Sequence, residues 1–208
     1  MSAVQKDLIF THLSFIHALR LQLRGNSDEI EWNEKVYRAL KEETLKEIRD
    51  KSNKATQLLI QQGMKLDECL KNGFINEIIY INLENTLTRL TDHQGKSERI
   101  KHTPLPKAYE IFNRILLGLF IFFLPFSLLP IFNQMGELWL VFPLTILISW
   151  VFFGIHKMGL LMANPFENFR WDVPLDAICN TIEIDLLEAI NADSIPEKLK
   201  PDEDGILM

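Results

Sequence analysis

The chain has 208 residues, of which 24% are charged and 47% hydrophobic, with a formal net charge of −6. That share of charge is too high for a protein wholly embedded in lipid, and a mean hydropathy near zero averages two unlike halves. The acidic balance argues against a nucleic-acid partner, which attracts basic surfaces, and two cysteines, Cys69 and Cys179, make neither a metal-ligand spacing nor a disulfide framework.

The opening Met1-Ser-Ala-Val-Gln-Lys-Asp7 lacks the basic, apolar, small-residue order of a cleaved signal, so insertion is expected to rely on a later apolar hairpin or on membrane segments absent from this chain. From Val4 to Arg24, apolar residues at Val4, Leu8, Phe15, Leu19 and Leu23, with Ile9, Leu13 and Ile16 beside them, predict a helix with a broad stripe. Gly25-Asn26-Ser27 stops it, and Arg20 and Arg24 fall in its last turns, where cations suit the helix dipole. His12 and His17 lie on this helix without an acid or second histidine at metal-site spacing, so each is expected to be a satisfied, partly buried imidazole.

Asp28 to Ser52 mixes Glu29, Glu31, Glu34, Glu42, Glu43 and Glu47 with Lys35, Arg38, Lys41, Lys46 and Arg49. Opposite charges three and four apart predict a solvated helix, a surface without a site, along which Trp32, Val36, Leu40, Leu45 and Ile48 form a thin seam. A capped start at Asn53 leads a helix through Leu58, Leu59, Leu66 and Leu70 to a stop at Asn72-Gly73. Another begins near Asn76 and carries Ile78, Ile79, Leu83, Leu87 and Leu90 before Gly95, the two making a helical pair outside the membrane. Thr103-Pro-Leu-Pro106 then breaks the helix.

Two uncharged runs follow, Ile115 to Phe132 and Leu138 to Ile155. Each offers roughly 27 Å of helix at about 1.5 Å per residue, the thickness of a bilayer's hydrocarbon. A buried helix pair of a soluble protein is the competing assignment, but core helices keep a polar stripe and these are apolar around their circumference. The runs therefore predict a transmembrane hairpin. Lys101, Lys107 and Arg114 precede it, Lys157 and Arg170 follow it, and the turn Asn133-Gln-Met-Gly-Glu137 has no cation, so both ends are expected in the cytoplasm.

Trp139 and Trp150 lie near opposite ends of the second run, either in the headgroup region or packed between helices. Pro125, Pro130 and Pro143 each deprive a carbonyl four residues earlier (Ile121, Phe126, Trp139) of its helical donor. Either a crowded or wet bundle serves those carbonyls, or the helices kink. Beyond the hairpin, Asn164-Pro165 ends the second span's extension, and Asp172 is placed to cap a helix whose apolar face is Leu175, Ile178, Ile182, Leu186 and Ile190. The fold class is thus all-α: residues 1–106 a cytoplasmic helical region, 107–132 and 138–163 spans, the second with a cytoplasmic extension, 164–192 a cytoplasmic helix and 193–208 an extended or disordered tail.

Chemistry-bearing motifs are lacking. No glycine-rich phosphate loop, His-Glu-x-x-His, Gly-x-Ser-x-Gly or Cys-x-x-Cys occurs. Glu183 and Asp185, two apart on a helix, point to different faces and cannot share a substrate. His156-Lys157 could attract anions or simply snorkel at the membrane edge. An enzyme is not expected, and neither is a cofactor.

Four strings then resemble one family in order and spacing: His17-Ala-Leu-Arg-Leu-Gln-Leu-Arg24, Ser97-Glu-Arg-Ile-Lys-His-Thr-Pro-Leu-Pro106 with Tyr109 beyond it, Asn164-Pro-Phe-Glu167, and Asp172-Val-Pro-Leu-Asp-Ala-Ile-Cys-Asn-Thr-Ile-Glu-Ile-Asp-Leu186. They are similar to the bacterial bestrophin-type membrane proteins, most specifically in the pairing of Asn164, Pro165 and Phe166 with Asp172, Pro174 and Leu175. The resemblance implies a homo-oligomeric, pentameric ion channel with four spans per subunit, a cytoplasmic helical region, and a central pore with a membrane neck and a cytoplasmic aperture. The hairpin would be the last two spans, and the aperture would fall at Leu87, with Leu83 one turn earlier, unless both are ordinary core leucines.

Chloride or another small ion and the lipid bilayer are the partners so implied, at the bacterial inner membrane. Family members carry two spans and the neck ahead of the position where this chain begins, which implies a truncated product or fragment inactive alone, a misassigned start, or a short relative. Animal members bind calcium after Asn-Pro-Phe, whereas Glu167 and Asp172 are separated carboxylates, too few for roughly six oxygen ligands, so no metal site is expected. The alternative function is a non-conducting, membrane-anchored helical scaffold.

Overall fold

The computed structural model describes residues 3–26, 28–103, 106–203, 205 and 207, and the backbone alone of Lys107. Of the residues named above, Met1, Ser2, Ser27, Pro104 and Leu105 lie outside the described set, as do residues 204, 206 and 208 of the tail. The chain forms two bodies, one of residues 1–101 with 166–208, the other of residues 102–165. No strand occurs among the described residues.

In the first body the helix α1 (Ala3–Arg24) is the hub. It packs along α4 (Lys54–Lys71) and against α2 (Glu29–Lys35) and α8 (Leu175–Ala189). Phe15, Ala18 and Leu21 of α1 meet Trp32, Val36, Ile48, Ala55, Leu58 and Leu59 in the main core. Leu21 and Leu58 are sealed from water completely, which contributes about 2 kcal/mol each. A smaller cluster of Leu13, Leu187 and Ile190 joins α1 to the end of α8.

The charged stretch is not one helix. It divides into α2, a single 3-10 turn at Tyr37–Ala39 and α3 (Glu42–Ile48), with Leu40 extended between them. Segmentation is what allows Trp32, Val36 and Ile48 to reach one core, since a straight solvated helix would leave the seam on its outside. Trp32 is further tied down by its indole N–H, which donates to Asn26 O at 3.0 Å, and Ser14 Oγ donates to Val36 O at 2.9 Å.

The α4 boundaries follow the expected chemistry. Asn53 Oδ1 accepts from Thr56 N at 3.0 Å, and the end closes with Phe74 N on Cys69 O and Gly73 N on Leu70 O. Asn76 Oδ1 accepts from Ile79 N at 2.8 Å at the start of α5 (Glu77–His102). This helix passes through Gly95 without stopping, because one interior glycine costs a helix only about 1 kcal/mol. Gln94, buried one residue before it, donates to Thr56 Oγ1 at 2.7 Å and pins α5 to α4.

In the second body α6 (Lys107–Met135) and α7 (Val141–Leu161) pack as an antiparallel pair, with the Phe120 and Phe152 rings 4.9 Å apart. The turn between them closes on Gly136, whose N–H donates to Asn133 O while Glu137 N donates to Phe132 O at 3.0 Å. Pro125 and Pro130 lie inside α6. Pro143, by contrast, sits in the first turn of α7, where no amide needs a helical acceptor, and Trp139 belongs to the 3-10 turn Leu138–Leu140. Both helices present apolar surface outward: the crossing-length stretches Ala108–Met135 and Leu138–Leu161 have mean hydropathies of 2.5 and 2.2 and are 0% and 6% buried. Trp139 and Trp150 are likewise exposed, not packed between helices.

Candidate functional site

Two regions carry the residues singled out from the sequence. The first is a cluster of charge where α1 meets α8. On α1, the spacing of Leu13, His17, Arg20 and Arg24 puts all four on one side. On α8, Asp176, Cys179, Glu183 and Leu187 do the same. These two stripes face each other: Arg20 Nη1 donates to Asp176 Oδ1, Arg24 Nη1 lies 2.8 Å from Asp176 Oδ2, and His17 Nε2 lies 3.1 Å from Glu183 Oε2. Glu31 of α2 takes the other arm of Arg20 at 2.5 Å and accepts from Asn26 Nδ2, and Lys35 approaches Glu183 at 3.8 Å.

The environment shifts the groups in the directions expected of such a cluster. The hydrogen bond from His17 holds the Glu183 carboxyl below its ordinary 4.5, with burial opposing and Lys35 and Arg20 assisting. Burial pushes the Cys179 thiol up to about 11 although Arg20 and Arg24 pull the other way, so this cysteine is an inert packing group. His17 is 4% exposed; its Nε2 meets Glu183, while its Nδ1 is buried with no partner among the described residues, so the imidazole is only half satisfied.

Three expectations are corrected here. The inward side of α8 is wider than the predicted apolar face: Ile190 is buried and Leu186 packs beside it as expected, but Cys179, Leu187, Asp176 and Glu183 also turn inward, and Ile178 is exposed. Carboxylates follow the arginines inward because an unpaired buried guanidinium is costlier than a half-exposed isoleucine. Glu31 belongs to the cluster, not to a featureless surface. Asp172 does not cap α8; its carboxylate accepts from Phe169 N at 3.0 Å, and the helix starts after Pro174, whose carbonyl receives Ile178 N at 3.0 Å. Sequence reasoning missed Glu31 and Asn168, a left-handed residue (φ 71°) that accepts from Arg24. The available signal was the pair of polar stripes at helical spacing within otherwise apolar helices.

The Asn164-Pro165-Phe166 segment leads from α7 into a loop. Phe166 is buried, and Glu167 pairs with Lys101 at 2.6 Å, which joins the end of α5 to the start of that loop. Leu175 is the first residue of α8 and is half-buried.

The second region is α5. Tyr80, Glu84, Leu87, Leu90 and Gln94 form its inward side, and Leu87 and Leu90 pack against the main core. Leu83 is 38% exposed, and the apolar side chains open toward the same helix's N-terminal half are Ile78, at 71%, Ile79 and Ile81. Leu83 and Leu87, four apart, share one side of α5: Leu87 packs against the main core, and Leu83, one turn nearer the helix start, is partly open.

Nothing in either region pairs a nucleophile with a base. The arrangement joins helices and presents an apolar hairpin, and comparison with known proteins gives it a family. The family model described as Bacterial/Fungal Bestrophin protein matches residues 2–188. The chain belongs to the bestrophin family. Among bestrophin relatives, the voltage-dependent anion channel-forming protein YneE of Escherichia coli K12 is 31% identical over 201 residues, which cover 97% of this chain and 63% of YneE. The protein alr2987 of Nostoc, also named as voltage-dependent anion channel-forming, is 32% identical over 173 residues, 82% of this chain and 53% of its own length. The chain thus spans less than two thirds of these relatives. A solved bestrophin homologue from Klebsiella pneumoniae matches with a TM-score of 0.79 at 26% identity, over 92% of this chain and 68% of the homologue. The all-α bestrophin architecture expected from the sequence is the one observed.

Proposed function

We propose that the protein is a subunit of an oligomeric channel that passes small anions, chloride among them, across the cell membrane. The observation that carries this reading is the apolar hairpin, 0% and 6% buried along its two crossing-length stretches, in a chain similar to proteins named as anion channel-forming over 97% of its length. Apolar surface of that extent is stable in lipid and aggregates in water. The hairpin crosses the membrane with its cation-free turn outside, and residues 1–106 and 164–208 lie in the cytoplasm.

Assembly is as a homopentamer. The cytoplasmic aperture is lined from α5, by Leu83 with Ile79 one turn before it, while Leu87, one turn further along the same side, packs against the core. A ring of exposed apolar side chains constricts by disfavouring water and hydrated ions. Transport, not catalysis, is the activity, because His17, Glu183 and Asp176 are occupied with one another and with arginine or lysine.

Reconstitution in planar bilayers under a chloride gradient tests the proposal. Current that reverses near the chloride equilibrium potential supports it. A preparation shown by cross-linking to be inserted and oligomeric, yet silent, overturns it and leaves the membrane-anchored scaffold.

A further inference from the structure

The loop after Phe166 holds two aromatic rings in the open. Phe169 and Trp171 stack with centroids 5.6 Å apart and planes 18° from parallel, and they are 45% and 53% exposed. A turn of the backbone brings the two rings together. This turn is closed twice, by Asp172 N donating to Phe169 O at 2.9 Å and by Phe169 N donating to Asp172 Oδ2 at 3.0 Å. Asn168, left-handed at φ 71° and bound by Arg24, directs the chain into it. A hydrogen-bonded turn thus keeps apolar rings at the surface, where their exposure is unfavourable by about 25 cal/mol per Å² until something apolar covers them.

The indoles differ in one respect. Trp32 and Trp139 donate their N–H groups to Asn26 O and Glu137 Oε2, whereas the N–H groups of Trp171 and of Trp150 on α7 make no hydrogen bond among the described residues. An apolar ring body with an unused donor at its edge suits the headgroup layer of a membrane.

We propose that Phe169 and Trp171 form an interfacial anchor, seated in the headgroup region of the bilayer that α6 and α7 cross; this rests on the membrane assignment of the hairpin. Chain connectivity selects lipid as the occupant. Lys101 and Glu167, ion-paired at 2.6 Å, bracket the whole excursion of the chain through the second body. Residues 102–106 alone link Lys101 to α6, and residues 162–166 alone link α7 to Glu167. Each linker reaches at most about 18 Å at about 3.5 Å per residue. The rings follow Glu167 by two and four positions, so the loop that displays them is tethered close to the point where the polypeptide passes into lipid.

The test uses the 208-residue chain in phosphatidylcholine vesicles whose acyl chains are brominated near the headgroup end, to report on Trp171, or near the bilayer middle, to report on Trp150. Subtracting the emission of W171F from that of the unaltered protein isolates Trp171, and W150F isolates Trp150 of α7 in the same way. The expected result is about twofold quenching of Trp171 by brominated lipid with little effect of aqueous acrylamide, as for an interfacial indole. Trp171 emission untouched by brominated lipid overturns the proposal, whether acrylamide quenches it, which places the ring in water, or fails to, which places it under another protein surface. Trp150 separates the two levels of failure. Quenching at Trp150 but not at Trp171 removes the anchor and leaves the hairpin standing, and quenching at neither removes both.

Discussion

Asp176 of α8 accepts from Arg20 of α1, and this pair joins positions 156 residues apart in the chain. Arg24, one turn further along α1, holds the other carboxylate oxygen at 2.8 Å, so a single acidic side chain answers two guanidiniums. Arg20 is 8% exposed and, when Asp176 is lost, keeps Glu31 on one arm while the other is left buried without a partner. Asp176→Ala should therefore destabilise the first body by about 3 kcal/mol, the usual result of removing one member of a buried pair, and adding Arg20→Met should recover part of that loss. Urea unfolding in detergent measures both. Cys179, buried three residues beyond Asp176, supplies a second readout: its thiol should react with a fluorogenic maleimide faster in Asp176→Ala than in the unaltered protein.

The pH dependence of this body should come from depressed carboxylates. Glu183 is held below 4.5 by its hydrogen bond with His17. For Asp7, burial raises the carboxyl, and the hydrogen bonds from Lys65 and Lys41 more than offset it, leaving it lowered. A carboxyl whose folded pKa is depressed contributes stability that is complete above its unfolded value and is lost as pH falls through the folded value. Unfolding free energy should accordingly decline below about pH 4.5, and Glu183→Gln should flatten that decline while leaving the Asp7 share intact. An unchanged acid slope in Glu183→Gln would exclude the His17 pair as its source.

What the sequence shows and what it hides separate along one line. Helix ends were legible wherever a local side chain or a glycine sets them, as at Asn53 and Gly73 for α4 and at Asn76 for α5. So was the hairpin, because apolarity around the full circumference of a helix has few other uses. The inward side of α8 was not. Periodicity selects Leu175, Ile178 and Ile182, whereas the partners that decide the matter, Arg20, Arg24 and His17, are supplied by a helix at the other end of the chain. Long-range charge pairing widened the inward side of α8 beyond its apolar pattern and left Ile178 exposed. The same holds for Trp32 and Val36, whose core role depends on breaks in the charged stretch that its mixed charges do not announce.

Leu83 and Leu87, one turn apart on α5, should respond differently to truncation. Leu87→Ala removes contacts with the main core from a partly buried site, a loss of about 2 kcal/mol, without altering the permeation path. Leu83→Ala removes an exposed side chain and should change stability by less than about 0.5 kcal/mol. If Leu83 lines the aperture, its truncation raises single-channel conductance or alters anion preference. Denaturation midpoints together with bilayer recordings on both variants distinguish the two positions, and equal effects on conductance would place neither at the constriction.

Gly136 sets the geometry of the hairpin turn. Its φ is 77°, in the left-handed region, and no atom outside its immediate neighbours lies within 4 Å of where a Cβ would stand. Any effect of substitution therefore comes from backbone strain and not from collision. Gly136→Ala should lower stability by about 1 kcal/mol, and Gly136→Asn by less, because asparagine tolerates the left-handed region. The end of α8 supplies the internal comparison: Asn191 occupies φ 47° there, with Ala192 N donating to Leu187 O at 3.0 Å as Glu137 N donates to Phe132 O at the end of α6. Loss of helical circular dichroism on heating in detergent reads the order Gly, Asn, Ala directly. Equal loss in both variants would indicate that the turn relaxes away from the left-handed geometry.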